Sequence, residues 1–171
     1  MDIELKLGDI FATRNPQGLG KAILLMQDVK SQDGKSDYGH TGIITSSSGD
    51  TFEALWTIKE QKLFEAYKGS QVLVARWDGM TLEAFNQGFS EVSKMKDRMY
   101  PWYRLVWHAL GLARWVHFLK TPVCSEITAH FLLHAGATCI YGENYWGITP
   151  DNLVDEWRIS KHFNTVFEGV L

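Results

Sequence analysis

Apolar and polar positions follow two different periods along the chain. GDIFATR, residues 8–14, sets Ile10 and Ala12 against Asp9, Phe11 and Thr13 in strict alternation. That is the pattern of a strand whose two faces meet different surroundings. NPQGLG is a Pro/Gly loop, and KAILLMQDV (21–29) predicts a short helix. The turn-rich SQDGKSDYG then leads into HTGIITS (40–46), a short run of strand character. After the turn SSSGD comes TFEALWTI (51–58), with Phe52, Ala54 and Trp56 on one face and Glu53, Leu55 and Thr57 on the other. Two such runs around such a turn predict a hairpin. KLFEAY (62–67) and QVLVARW (71–77) predict two further strands, so an antiparallel meander carries the middle of the chain.

From Thr81 the period changes. Leu82, Phe85, Phe89, Val92, Met95 and Met99 recur every three or four residues, the spacing of one helical face, with Thr81 as its cap. Tyr100-Pro101 ends that helix. In WYRLVWHALGLARWVHFL (102–119) a second stripe runs through Leu105, His108, Leu112, Trp115 or Val116, and Leu119. Its Trp and Arg content suits a membrane surface, but an aromatic stripe at helical spacing more often faces a core. A third helix opens at Cys124 with Ile127, Phe131, Leu132 and Ala135 inward and Gly136 as its stop. Thr149-Pro150-Asp151 starts a last short helix, and RISKHFNTVFEG leads into a closing strand. Strands first and helices later give an α+β fold, read as one domain over residues 1–171.

Bulk composition narrows the function by exclusion. The 171 residues, 45% hydrophobic, suffice for a real core. A net charge of -3, from 17 basic and 20 acidic residues, gives no pull towards nucleic acid. The start MDIELKLGDIFA lacks the charged and apolar regions of an export signal, and no apolar run spans a bilayer. The expectation is a cytoplasmic protein, with membrane or lipid contact secondary and the oligomeric state open. Its two cysteines, Cys124 and Cys139, are then expected to stay reduced rather than bridged.

Cys124 carries the candidate chemistry. The first amides of a helix have no internal partners and carry positive partial charge, so they stabilise a thiolate placed there. The same amides can receive the oxyanion formed when a carbonyl is attacked. A histidine alongside would take the thiol proton. The competing reading is a small buried hydrophobe, the commoner fate of a free cysteine. Six histidines are candidates for the base: His40, His108, His117, His130, His134 and His162. His40 stands out because it begins a strand after a loop, where an edge can present the ring to a helix start. Glu53, on the adjoining hairpin strand, is within reach to orient the imidazole, since paired strands lie about 4.8 Å apart. A metal reading competes: His130 and His134 share a helical face, and Cys124, Cys139 or Glu126 could join them. There is no HExxH and no CxxC, and GLGKA (18–22) lacks the spacing of a phosphate loop, so no metal, nucleotide or other cofactor is expected.

Taken in order, LKLGDIFATR (5–14), YGHTGIIT (38–45) with TFEAL (51–55), PVCSEITAHFLLHAG (122–136) and ITPDNLVD (148–155) resemble the YiiX/YebB-like branch of the NlpC-type cysteine hydrolases. The resemblance spans most of the chain. It implies a circularly permuted papain-like fold, an antiparallel sheet or barrel packed on helices, in which the strand histidine precedes the helix cysteine. It also implies a thiol hydrolase, a peptidase or amidase, with Cys124 as nucleophile, His40 as base and Glu53 as its orienting partner, acting on a small peptide or other amide or ester. Tyr100 and Tyr103 of YPWY, Gly39 and Ser125 are the residues it suggests for the cleft lining. Relatives often carry Ser where this chain has Gly39. A lipid-directed acyltransferase or thioesterase on the same fold, and a non-catalytic binding module, are the alternatives.

Overall fold

The first strand of the chain lies inside its sheet. In the computed structural model, which describes residues 3–14, 38–55, 57–98, 122–137, 145 and 147–171, β1 (Ile10–Thr13) is followed by β2 (His40–Ile44), β3 (Asp50–Ala54) and β4 (Ile58–Lys62). Then come α1 (Leu63–Ala66), β5 (Gln71–Trp77), α2 (Leu82–Ser93), α3 (Cys124–His134), α4 (Pro150–Ile159) and β6 (Phe163–Val170). The six strands form one sheet in the order β4-β3-β2-β1-β5-β6, and every pairing is antiparallel. β1 pairs on one side with β2, Thr13 opposite His40, and on the other with β5, Ile10 opposite Ala75.

The two faces bury different sets. Ile10, Ala12, Ile43, Phe52, Ala54, Leu73 and Ala75 pack with Phe85 and Val92 of α2, Ile127 and Phe131 of α3, and Leu153 and Trp157 of α4. Phe11, Ile44, Val72 and Val74 turn the other way and pack with Leu63 and Tyr67. Period-two alternation thus separates a helix-covered face from a second apolar layer. The helices are set by their caps and contacts. The Thr81 hydroxyl accepts the Ala84 amide at 3.1 Å, and Thr149 caps α4 by accepting the Asn152 amide at 3.2 Å ahead of Pro150. α2 crosses α3 so closely that a Cβ on Gly88 would lie 2.6 Å from the Phe131 carbonyl oxygen.

Several expected elements are corrected. The strand expected to run unbroken over 51–58 stops at Ala54, and Ile58 starts β4 by donating to the Arg98 carbonyl at 3.1 Å. KLFEAY is not a strand: β4 ends at Lys62 and Leu63–Ala66 makes one helical turn. That turn puts Leu63 and Tyr67, four apart, on one buried side, whereas a strand would send them along the same face at full extension. α2 ends at Ser93, not near Met99, because Asp97 at φ 65° leaves the helical region and its amide returns to the Ile58 carbonyl at 2.8 Å. Leu82, expected inward, is 66% exposed in the first turn. The expected helices at 21–29 and 102–119 lie outside the described residues.

Candidate functional site

The site is assembled where β2 begins. The Gly39 amide donates to the Thr13 carbonyl at 3.1 Å, so the residue before His40 is held by the sheet. Gly39 is itself buried. The pairing of Ile43 with Phe52, extended by one residue, sets Gly42 against Glu53. A Cβ on Gly42 would lie 2.5 Å from the Phe11 ring and 3.0 Å from the Glu53 Cβ. The missing side chain therefore makes room both for Phe11, which lies edge-on to His40 with ring centroids 6.2 Å apart, and for Glu53 to reach diagonally towards the imidazole. His40 Nε2 and Glu53 Oε2 are 2.6 Å apart, and both side chains are buried.

Glu53 has three partners. Thr51, two residues earlier on the same face of β3, donates its hydroxyl to Oε1 at 2.6 Å. The Tyr67 hydroxyl, placed by the turn α1, donates to the same Oε2 that faces His40. A fully buried carboxylate is costly unless its lone pairs are met. Burial pushes the Glu53 carboxyl up, but the His40, Thr51 and Tyr67 contacts outweigh it and hold it below the usual range. Burial, then the neighbouring Glu53 charge, pushes the Tyr67 phenol far above its ordinary range, so it stays a donor.

Cys124 is the first residue of α3, after Val123 in extended conformation. The next two residues anchor that helix start. Ser125 is fully buried, and its hydroxyl donates to the Ile148 carbonyl at 2.7 Å. It is therefore a fastening to the loop before α4. Glu126 accepts the Val123 amide at 3.0 Å and the Gly147 amide at 2.8 Å. Cys-Ser-Glu thus combines one thiol with two side chains that fix the backbone around it. Cys124 is buried and unbridged, and it lies close enough to His40 to raise the pKa of the imidazole. With Nε2 given to Glu53, Nδ1 is the ring nitrogen left for the sulfur. Burial lowers the affinity of His40 for a proton, but Cys124 and then Glu53 outweigh it, and its pKa is pushed up to about 10.

Cys124, His40 and Glu53 are thus brought together from three elements far apart in the chain. The other histidines among the described residues lie elsewhere. His130 lies further along α3 against His134, ring centroids 4.3 Å apart, and against Tyr145 at 4.9 Å. Burial and then His134 push the pKa of His130 down to about 4. His162 is exposed in the turn before β6. Among the described residues, no group of three or more His, Cys, Asp or Glu side chains is arranged to hold a metal ion. Tyr100, Tyr103, His108, His117 and Cys139 lie outside the described residues. Tyr67 and Thr51 were not singled out from the sequence. Thr51-x-Glu53 is a period-two signal available on paper, whereas Tyr67 enters only once 63–66 is read as a helical turn.

No family model matches the chain, and no curated protein does. Among solved structures, the chain is similar to one described as the crystal structure of metalloprotein yiiX from Escherichia coli O157:H7, DUF1105. The TM-score is 0.67 at 17% sequence identity, covering 98% of this chain and 99% of that one, so the two share a fold.

Proposed function

We propose that the protein is a cysteine hydrolase of the permuted papain-like, NlpC-type class, a peptidase or amidase acting through Cys124, His40 and Glu53. The observation that carries this reading is the buried contact of His40 Nε2 with Glu53 Oε2 at 2.6 Å, with a cysteine that opens a helix as the neighbour that raises the His40 pKa. The roles follow from the chemistry of such a set. The thiol proton passes to His40 Nδ1, and the sulfur attacks the carbonyl carbon of an amide. The oxyanion is received by the first amides of α3. Imidazolium returns the proton to the leaving amine as the C–N bond breaks, leaving a thioester on Cys124. His40 then takes a proton from water, whose oxygen attacks the thioester, and the sulfur leaves to recover the resting pair. Glu53 keeps the ring in the tautomer this needs.

Cys124 is 2% and His40 4% exposed, so the reacting pair is held away from bulk water. Both Glu53 oxygens are met by Thr51, Tyr67 and His40, which holds the carboxylate in place as the partner of the ring.

Turnover on peptide amides, screened beside acyl esters, is the test. Cys124→Ala and His40→Ala are each expected to abolish it, and Cys139→Ala to leave it intact. Turnover of esters alone would favour the acyltransferase or thioesterase reading, and binding without turnover the non-catalytic one. Full activity in Cys124→Ala would end the proposal.

A further inference from the structure

α3 and β2 meet through a pair of buried hydroxyls. Thr128 Oγ1 lies 3.2 Å from Thr41 Oγ1 and 3.2 Å from the Cys124 carbonyl oxygen. Both threonines are fully buried. Packing alone would be served there by valine, which has the same shape and leaves no hydroxyl to satisfy. The position is what gives the pair meaning. Thr41 is the residue after His40, and its hydroxyl is directed at Thr128 of α3. Thr128 sits one helical turn after Cys124 and its hydroxyl lies 3.2 Å from that residue's own carbonyl. The bridge is thus joined to His40 by one peptide link and to Cys124 by a hydrogen bond.

We propose that the Thr41–Thr128 hydroxyl bridge is a positioning device that fixes the spacing between the sulfur of Cys124 and the imidazole of His40. This rests on the cysteine-hydrolase reading. Neither threonine touches the reacting atoms. Loss of the bridge frees the start of α3 to shift against β2, and the thiolate–imidazolium attraction weakens as the two separate.

The test follows the titration of the His40 ring nitrogens by NMR in the intact protein, beside kcat and KM on whichever amide is turned over. In the wild type, Cys124→Ala is expected to lower the His40 midpoint by about one unit or more, because the negative partner is gone. Thr128→Val is expected to give part of that downward shift and about a tenfold lower kcat at unchanged KM, the mark of lost alignment. Thr128→Ser, which keeps the hydroxyl, is expected to restore both. A merely structural role for Thr128 would lower stability without moving the His40 midpoint. If Cys124→Ala shifts the midpoint and Thr128→Val does not, the bridge has no such role. If Thr128→Ser fails to restore what Thr128→Val loses, packing is responsible and the inference is overturned. If Cys124→Ala leaves the midpoint where it was, the thiol and imidazole are not coupled, and the hydrolase reading falls with the bridge. Should Thr128→Val not fold, Thr41→Val removes the same bond from the sheet side and the same outcomes decide.

Discussion

At the scale of single residues, the site is a charge held in place by neighbours. His40 has its pKa lifted from 6.5 to about 10, so imidazolium is kept through neutral pH and is lost only as pH rises through about 10. Activity that needs this group as a proton donor is expected to fall along an alkaline limb near that value, read from kcat against pH. In Glu53→Gln the imidazolium loses its anionic partner, the limb is expected to move to lower pH, and turnover to drop by roughly a hundredfold or more. A limb that stays in place would show that Glu53 does not set the ring. Tyr67→Phe removes one of two hydroxyl donors from a buried carboxylate, and denaturant unfolding is expected to show a loss of about 1–3 kcal/mol. Iodoacetamide is expected to label Cys124 ahead of Cys139, since a helix-start sulfur beside a histidine is placed to act as a nucleophile. Equal, slow labelling of both would count against an activated sulfur.

At the scale of elements, what was legible depended on whether a segment's own period decided its shape. QVLVARW is β5 over the residues read from alternation, and the starts of α2, α3 and α4 follow from Thr81, Cys124 and Thr149-Pro150. His40, Glu53 and Cys124 could be nominated because each stands at a strand or helix position with a recognisable purpose. KLFEAY failed, since four residues of helix are too short to show a period and are fixed by where Leu63 and Tyr67 find apolar neighbours. Likewise the end of α2 is set by the return of Asp97 to β4, a contact made across 39 positions from Ile58 and invisible to a local pattern. The glycines make element-scale predictions of their own. Gly42→Ala pushes a methyl group into Phe11 and Glu53, and the expected cost is about 1–3 kcal/mol in urea unfolding, with reduced turnover. A variant as stable and as active as the wild type would refute the account of Gly42 as a spacer.

For the whole molecule, strand order is what local patterns withhold. The middle meander was expected, and β2, β3 and β4 form one, but nothing in GDIFATR says that its strand will lie between β2 and β5. That placement follows from satisfying two strand edges and two apolar faces together, a global condition. It has a consequence in time. The earliest described strand in chain order cannot be flanked on both sides until residues 71–77 exist, and β6 joins β5 only at the far end of the sequence. A chain so dependent on distant partners folds slowly, in milliseconds to seconds by the usual relation of topology to rate. Meanwhile residues 147 and 148, which fasten the helix start that carries the sulfur, follow Cys124 by more than twenty positions. A growing polypeptide halted between the two would carry its thiol without that support, so reactivity at Cys124 is expected to mature only once the segment before α4 has been translated.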